Sequence, residues 1–534
     1  MPDSKDLLMD LPSLNGELPH VALKNLVWPT PYSTYTGITK DLIDVILRCQ
    51  KDIKTHQISS AILKSKSYDI ISDICTIARL TLDISTVREA GRKLCYNPQS
   101  SPLLTYLDVG TDPYSFVIPR VWHHPTANGC SKKIKNLARR CRSHLLSSTI
   151  GRNRLDIHNR NHLVNNFVQH SALRGVDWPI TNVNWPEGKT LPKDLTEISL
   201  GLSIDFLKSI ENEVSEKSLA EKFRHLSLRI IKFHLSKAYD DLLVLEKHVL
   251  ARPMGLTLLS GTPKHLGRLT SWLYHKEGRT TIRCAHGGER AFFIDYEWGL
   301  AEFPDCDIYY THGQGELTVL DRRISSGAIP TTDSEQPTQF QTIGSPHHQK
   351  IFSKASNQGS ARRTGEVLYV AGGYLGEAFG DFPSRKPPDV LYLDWQIDLI
   401  TTLKKLGYKV ILKAHPGGIA ANEGLLSAYA DRSIEGKFDP IDAPGDCFIF
   451  DFAGTAFVDA LASGRPMVLA DTGVRPFDPH SFKDLSARCG IAPSTINGNG
   501  VFRVKTDPLG EAVAQATDNQ ANLFEDFQQK FFAS

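Results

Sequence analysis

Hydrophobic residues recur at helical spacing through much of the first 250 residues. In residues 40–65, 67–95 and 204–250, apolar side chains return every three or four positions, as they do on one face of an amphipathic helix. Residues 173–200 interrupt this pattern with proline, tryptophan and asparagine, which is typical of an ordered loop. We therefore predict an N-terminal region that is mostly helical.

From about residue 255 the pattern changes to short apolar runs that alternate with helical segments. The predicted strands are 256–259, 281–285, 307–311, 340–343, 367–370, 409–413, 447–450 and 466–470. The helices predicted between them are 264–276, about 315–325, about 392–406, 423–431 and 455–463. Alternation of this kind predicts parallel sheets covered by helices, so we expect an α/β fold with two doubly wound domains.

Polar stretches at 326–338 and 352–365 mark the boundary between the two domains, and we place the linker at about 340–365. The predicted divisions are a helical region, a first domain that faces the acceptor, a second domain that binds the nucleotide, and C-terminal helices. Their bounds are 1–150, 151–345, 346–507 and 508–534. The helical region either completes the first domain or adds a separate module.

Composition narrows the class of protein. The 534 residues carry a net charge of +2, so nucleic acid is not expected as a partner. The nine cysteines are scattered and none is spaced C-x-x-C, and no signal-peptide pattern or run of about 18 apolar residues occurs. We expect a cytoplasmic protein with reduced thiols. A basic stretch at 132–142 is either a solvated helix face or a contact for anionic lipid at the inner face of the membrane.

Small and polar residues follow many of the predicted strands. Ligands of open parallel sheets bind outside the carboxyl ends of the strands, where loops and helix N-termini converge. A single glycine there often serves only the turn, but a series over two sheets indicates a cleft between two domains. The series is His286-Gly287-Gly288, His312-Gly313, Gly372-Gly373, Lys413-Ala-His415-Pro-Gly-Gly, Asp451-x-x-Gly454-Thr455 and Asp471.

The segment 450–464 has the pattern of a phosphate site. A buried strand ends, small residues follow, and a helix begins at Thr455, so its free N–H groups face the loop at Gly454. Asp459, one turn later, is a candidate acceptor for ribose hydroxyls. An ordinary helix cap with an outward-facing Asp459 is the alternative.

Lys413 and His415 form the second candidate for the donor side. Residues i and i+2 of a strand point to the same face, where a cation and an imidazole suit a pyrophosphate. His415 is also a candidate general acid or base. The alternative is a histidine that serves only the structure.

The order of these motifs resembles the GT-B glycosyltransferases of bacterial surface carbohydrate assembly. The matching residues are His286–Gly288, Glu297-Trp298, Glu302, Asp307–Gly313, Gly344–Pro346, Val367–Ala371, Lys413–Pro416 and Asp451–Pro466, within roughly 255–505. The resemblance implies two Rossmann-like domains facing a cleft, a nucleotide-sugar donor, an oligosaccharide or lipid-linked acceptor and no cofactor. The turn at His286, Gly287 and Gly288 is then on the acceptor side.

Within that group the chain is most similar to the retaining β-Kdo transferases, which use CMP-Kdo. This resemblance implies a carboxylate nucleophile, here Asp381, assisted by Glu297 or Glu302 and by His415. Arg385 and Lys386, which lie close to Asp381 in the sequence, are candidates for binding the sugar carboxylate. The donor residues are then Lys413, Gly454, Thr455, Asp459, Gly372, Gly373 and Arg385.

Asp305-x-Asp307 is the D-x-D spacing in the chain, and its place before a strand favours a capping role over Mg²⁺ binding. We therefore expect a metal-independent glycosyltransferase. Thr455 and Asp459 stand where CDP-glycerol enzymes usually have Ser and Glu. The open alternatives are a CDP-glycerol-type glycerophosphotransferase, a sugar-nucleotide 2-epimerase and a catalytically silent carbohydrate-binding subunit.

Overall fold

The computed structural model describes residues 6–14, 19–110, 154–171, 174–177, 191–250, 255, 257–261, 264–329, 338–356, 364–374, 376, 385–415, 424–518 and 522–533. The basic stretch at 132–142 and the candidate nucleophile Asp381 lie outside these ranges.

The elements are numbered in chain order. The strands are β1 (Asp6–Leu8), β2 (Lys93–Cys95), β3 (Arg154–His158), β4 (Arg174–Asp177), β5 (Thr257–Ser260), β6 (Thr280–Cys284), β7 (Ile308–Thr311), β8 (Gln339–Thr342), β9 (Glu366–Val370), β10 (Lys409–Lys413), β11 (Arg432–Ser433), β12 (Cys447–Phe450), β13 (Met467–Asp471), β14 (Gly490–Ile496) and β15 (Phe502–Val504).

The helices are α1 (Pro19–Ala22), α2 (Tyr32–Asp52), α3 (Gln57–Glu89), α4 (Pro102–Val109), α5 (His162–His170), α6 (Lys193–Ile210), α7 (Lys217–Leu250), α8 (His265–Lys276), α9 (Gly299–Glu302), α10 (Gln314–Ser325), α11 (Pro346–Ser356), α12 (Asp389–Lys405), α13 (Thr455–Ser463), α14 (Phe482–Arg488), α15 (Thr506–Asp518) and α16 (Asn522–Phe531).

The first sheet is parallel, with the described strands in the order β4-β3-β5-β6-β7-β8. The chain runs from β3 outward to β4, then returns to the other side of β3 and adds β5 to β8 in sequence. The direction of winding therefore reverses between β3 and β5.

The second sheet has the described order β11-β10-β9-β12-β13-β14-β15, and it is parallel except for the β14–β15 pair. Its central strand β12 is buried along its whole length, as strands covered by helices on both faces are. The first strand, β9, lies in the middle of the sheet, so the winding reverses between β9 and β12.

A layer of helices contacts both sheets. Helices α6 and α7 follow β4 in the chain, yet they pack against α2 and α3, and α3 also packs against α8 of the first sheet. The layer reaches the second sheet at its β14–β15 edge, where the Trp28 amide donates to the Asn499 carbonyl at 2.8 Å and the Tyr32 ring meets the Phe502 ring edge-on at 5.6 Å.

The C-terminal helix α16 returns from the second sheet to the first. The Ser345 amide donates to the Phe532 carbonyl at 2.8 Å, and a β-carbon at Gly313 would collide with the backbone of Phe531. The chain therefore crosses between the two sheets twice, through α11 and through α16.

The structure confirms the predicted α/β architecture, with two parallel sheets flanked by helices and a helical N-terminal region. The bounds of β10 and β12 are those predicted, because each is a short apolar run between turn residues. The predicted helix at 423–431 is wrong. There, Gly424 has a φ of 93°, and the Ser427 and Tyr429 amides bond three residues back in consecutive turns. Across the described residues, no helix combines the length and the apolar content that a membrane span requires.

Candidate functional site

At the carboxyl ends of β9 and β12 the second sheet reverses its winding, and this is the position at which open parallel sheets form a crevice for ligands. Lys413 of β10 and Phe450 of β12 both pair in register with Val370 of β9. Neighbouring strands are about 4.8 Å apart, so the residues that follow these three strands lie at one edge. The structure thus places Lys413, His415, Gly372, Gly373, Gly454 and Thr455 along the carboxyl ends of three adjacent strands.

Asp451, directly after β12, fixes the start of the glycine loop after β9. Its carboxylate accepts from the Gly372 amide and the Gln396 side chain, each at 2.7 Å, and from the Tyr369 hydroxyl. Burial raises the pKa of Asp451, although these hydrogen bonds oppose the rise. A β-carbon at Gly372 would collide with the Tyr392 hydroxyl, so only glycine fits where the two strand ends are tied together.

Helix α13 presents its N-terminus at this crevice. Gly454 occupies the N-cap with extended backbone (φ −130°), and no side chain of a described residue caps the helix. Thr455 is exposed, and Phe452 beside it is 37% exposed. Because the first amides of a helix have no partner within the helix, this end offers N–H donors and the positive end of the helix dipole to an anion.

The Lys413 and His415 side chains differ in their exposure. Lys413 is 5% exposed and its Nζ donates to the Ala414 carbonyl at 2.8 Å. Burial lowers the pKa of Lys413, while Glu435 opposes that shift. His415 is exposed at the same edge. The imidazole is therefore the more exposed of the two groups at this edge.

Asp459, the candidate for ribose binding, faces the first sheet. Its Oδ1 lies 3.1 Å from Nε2 of His347 and 3.4 Å from Nε2 of His348, both on α11. Burial alone would raise the Asp459 pKa, but the two histidines hold it below its usual range. Sequence reasoning did not select this histidine pair, although adjacent histidines at a predicted domain boundary are visible in the sequence.

The turn after β6, which the sequence predicts on the acceptor side, touches helix α13 of the second sheet. Gly287 and Gly288 have φ values of 82° and 90°, a conformation that favours glycine. A β-carbon at Gly288 would lie 3.1 Å from Cγ1 of Val458. His286 is exposed at the tip of this turn. The carboxyl edge of the first sheet therefore meets helix α13 of the second sheet at this contact.

The two candidate glutamates are both held in ion pairs. Glu297 contacts Arg385, another predicted site residue, and Glu302 accepts from Nη1 of Arg290 at 3.0 Å. Both glutamates are buried, at 1% and 0% exposure. Burial raises the Glu297 pKa even though Arg385 opposes the shift. The structure thus brings Glu297 and Arg385 together, but as partners of each other.

A further ion pair joins the segment of Glu297 to the loop after β13. Asp295 accepts from Arg475 at 2.8 Å and 2.6 Å, and the Arg475 Nη1 donates to the Ala453 carbonyl at 3.0 Å. Burial raises the Asp295 pKa, but Arg475 and Arg385 more than reverse this and lower it. Nothing local in the sequence marks this pair, because its members are 180 residues apart.

His158 ends the first strand of the first sheet, where that sheet reverses its winding. It is 8% exposed, and its Nε2 has no hydrogen-bond partner among the described residues. Burial, with Arg283 nearby, lowers the His158 pKa to about 4. The folded protein therefore holds this ring neutral.

This histidine gives a testable pH dependence. His158 takes up a proton near pH 6.5 in the unfolded chain but only near pH 4 in the folded chain. The free energy of unfolding therefore keeps its full value above pH 6.5 and decreases as the pH falls from 6.5 toward 4. Lowering the pH from about 7.5 to about 5 should reduce the contribution of His158 to the free energy of unfolding by about 2 kcal/mol. Urea unfolding of the wild type and of His158→Phe at both pH values measures this contribution. The exposed His225→Gln variant should keep the wild-type difference, and an unchanged difference in His158→Phe would contradict the prediction.

Comparisons with known proteins find similarity only to solved structures, and that similarity is low. No protein-family model matches the sequence, and no curated protein matches it. The chain is similar to the Methanocaldococcus jannaschii UDP-GlcNAc 2-epimerase in complex with UDP-GlcNAc and UDP, with 9% identity, a TM-score of 0.35, and coverage of 70% of this chain and 95% of that one.

Two transferase structures give similar values. For a UDP-forming α,α-trehalose-phosphate synthase from Burkholderia xenovorans the identity is 9% and the TM-score 0.36, over 71% of this chain and 93% of that one. For a Streptomyces sp. SF2575 glycosyltransferase complexed with thymidine diphosphate the identity is 10% and the TM-score 0.31, over 71% of this chain and 94% of that one. TM-scores this low carry no conclusion about activity, so the description of the fold depends on the two sheet orders.

Proposed function

We propose that the chain is a glycosyltransferase that moves a sugar from a nucleotide-linked donor to a carbohydrate or lipid-linked acceptor. One observation supports this most. The crevice of the second sheet contains a helix N-terminus without a side-chain cap, and that helix faces the first sheet. Such a crevice binds nucleotides in doubly wound sheets, and the facing sheet supplies a place for a second substrate.

The donor phosphate is proposed to bind at Gly454 and Thr455, with His415 beside it. The first amides of α13 donate to phosphate oxygens, and His415 stabilises charge on the departing nucleotide. A CMP-linked donor, CMP-Kdo, is the form that the sequence resemblance favours. The retaining mechanism through Asp381 stays a prediction.

The acceptor is proposed to enter on the side of the His286–Gly288 turn. This turn lies against α13, so a hydroxyl bound there is near the donor's sugar. Glu297 and Glu302 are enclosed in ion pairs in this arrangement. A catalytic role for either one requires that the segment after the turn move away from Arg385 or Arg290.

A thermal-shift panel with CMP, CDP, UDP and GDP tests the proposed nucleotide site. A ligand at 100 times its dissociation constant adds about 2.7 kcal/mol to the free energy of unfolding, so the matching nucleotide should raise the melting temperature. A response to CMP alone supports a CMP-linked donor, and a response to UDP alone redirects the choice of donor. If none of the four raises the melting temperature at millimolar concentration, the proposed site is wrong.

His415→Ala is expected to lower turnover by about 100-fold, because it removes the group that stabilises charge on the leaving nucleotide. The assay measures release of the nucleotide from the donor that the thermal-shift panel identifies. The matched control is His56→Ala, which removes an exposed histidine from the N-terminal helical layer and should keep wild-type turnover. Near-wild-type turnover in His415→Ala would reject its role.

Incubation with donor alone separates the alternatives. A transferase leaves the donor's sugar configuration unchanged, whereas an epimerase converts the donor into an isomer. Release of CMP from CDP-glycerol in the presence of an acceptor would instead identify a glycerophosphotransferase.

A further inference from the structure

Two histidines and an aspartate meet where the two sheets join. His347 and His348 lie in the first turn of α11, which follows the first sheet, and Asp459 lies on α13 of the second sheet. One ligand atom from each of the three lies within 4.8 Å of the other two. The carboxylate Oδ1 is 3.1 Å from Nε2 of His347 and 3.4 Å from Nε2 of His348.

These separations suit a bound metal ion. Zn²⁺ binds imidazole nitrogen and carboxylate oxygen at about 2.0–2.2 Å, and a tetrahedral arrangement then separates neighbouring ligand atoms by about 3.3 Å. The two distances to Asp459 are close to this value. Two imidazoles and one carboxylate form a donor set that zinc sites with three protein ligands use.

The surrounding residues hold the imidazoles in the required orientation. Nδ1 of His348 is hydrogen-bonded to the Ser345 hydroxyl at 2.7 Å, which leaves Nε2 directed at Asp459. The ring of His162 stacks on that of His347 at 3.8 Å and an interplanar angle of 3°, and the Phe532 ring packs on His348 at 4.4 Å. A hydrogen bond on the second nitrogen is the usual support for a ligating histidine.

The exposure of the three side chains fits a site that is enclosed but reachable. The side chains of His348 and Asp459 are 4% and 10% exposed, whereas that of His347 is 27% exposed. A metal ion can therefore enter on the His347 side, and water or another ligand can complete its coordination there.

We propose that His347, His348 and Asp459 bind a divalent transition-metal ion of the Zn²⁺ class, which links α11 to α13 across the junction of the two sheets. The ion fixes the helix whose N-terminus faces the proposed donor site. The sequence predicted a protein without a metal because it offered only the D-x-D spacing. His347 and Asp459 are 112 residues apart in the chain and come together only in the fold.

Metal content of the full-length protein without an affinity tag tests the proposal. After treatment with a chelator, incubation with Zn²⁺ and removal of unbound ion, elemental analysis should find about one zinc per chain in the wild type. His347→Ala removes the most exposed ligand and should weaken zinc binding by about 100-fold or more, since losing even an outer-shell partner costs 10–100-fold. The local control is His162→Phe, which keeps the stacked ring and should retain the zinc.

Cobalt gives a second, spectroscopic readout. Co²⁺ bound by these three side chains at low coordination number should show intense visible absorption bands, and Asp459→Asn should weaken them. Circular dichroism verifies that each variant is folded. A wild type that binds neither zinc nor cobalt overturns the proposal and leaves an ion pair between the helices. Equal zinc content in the wild type and in both ligand variants overturns it as well.

Discussion

Replacing Arg475 with alanine is expected to lower the free energy of unfolding by about 3–5 kcal/mol. Arg475 and Asp295 form a bidentate pair in which both side chains are buried, at 7% and 5% exposure. Removing the guanidinium leaves a buried carboxylate without its main partner and the Ala453 carbonyl without a donor. Such a carboxylate must either stay charged in an apolar setting or take up a proton, and both cost free energy.

Urea unfolding at neutral pH measures this loss, and substitution of the more exposed Arg432 is the matched control. Arg432 pairs with Glu366 at 3.2 Å, but its side chain is 48% exposed. Arg432→Ala should therefore cost less than about 1 kcal/mol. If the two variants lose equal stability, burial of the Asp295 pair is not what stabilises this contact.

A double substitution distinguishes the cost of an unpaired charge from the value of the pair. Arg475→Met combined with Asp295→Leu removes both charges, and it should recover much of the stability that Arg475→Ala loses. Because Asp295 belongs to the first sheet's segment and Arg475 to the second's, the single variant should also loosen the contact between the two sheets.

Gly454→Asp is expected to weaken nucleotide binding by about 100-fold while leaving the protein as stable as the wild type or slightly more stable. Aspartate is among the preferred N-cap residues, and replacing glycine there gains only a few tenths of a kcal/mol. The backbone at Gly454 is extended, and an added β-carbon meets the Phe452 ring at an ordinary 3.7 Å. The new carboxylate occupies the free amides of α13 and repels a phosphate at the same place.

Gly454→Asn is the matched control, since its amide caps the helix without a negative charge. It should weaken nucleotide binding much less than Gly454→Asp does. Melting temperature and nucleotide titration on the same preparations separate folding from binding. Wild-type affinity in Gly454→Asp would show that the phosphate does not bind at this helix end.

The fold followed from local patterns wherever a strand or helix is complete within a short window. The strand 409–413 and the helix 455–463 have the predicted bounds, because apolar residues at the right spacing lie between glycine and other turn residues. The segment 423–431 misled the prediction. Its apolar residues suggest a helix, but Gly424 adopts a positive φ and the backbone bonds of Ser427 and Tyr429 close turns instead.

Some residues of the candidate site were predicted from local sequence signals, and others were not. The sequence marked Gly372, Gly454 and Thr455 because strand ends carry local signals, and parallel pairing with β9 brings those ends to one edge. It did not mark the partners of Asp451 or Asp459. A carboxylate's partners depend on which helices pack against it, and a local pattern carries no information about that.

The sequence by itself determined that this chain alternates strands and helices and that small polar residues follow the strands, since both depend on the spacing of neighbouring side chains. Only the tertiary structure decided the rest. The order of strands in each sheet placed the crevice between β9 and β12, and the packing of α11 on α13 brought His347 and His348 to Asp459. Contacts between residues more than a hundred positions apart arise from the burial of apolar faces across the whole chain, so they form only when the two sheets and the helical layer pack together.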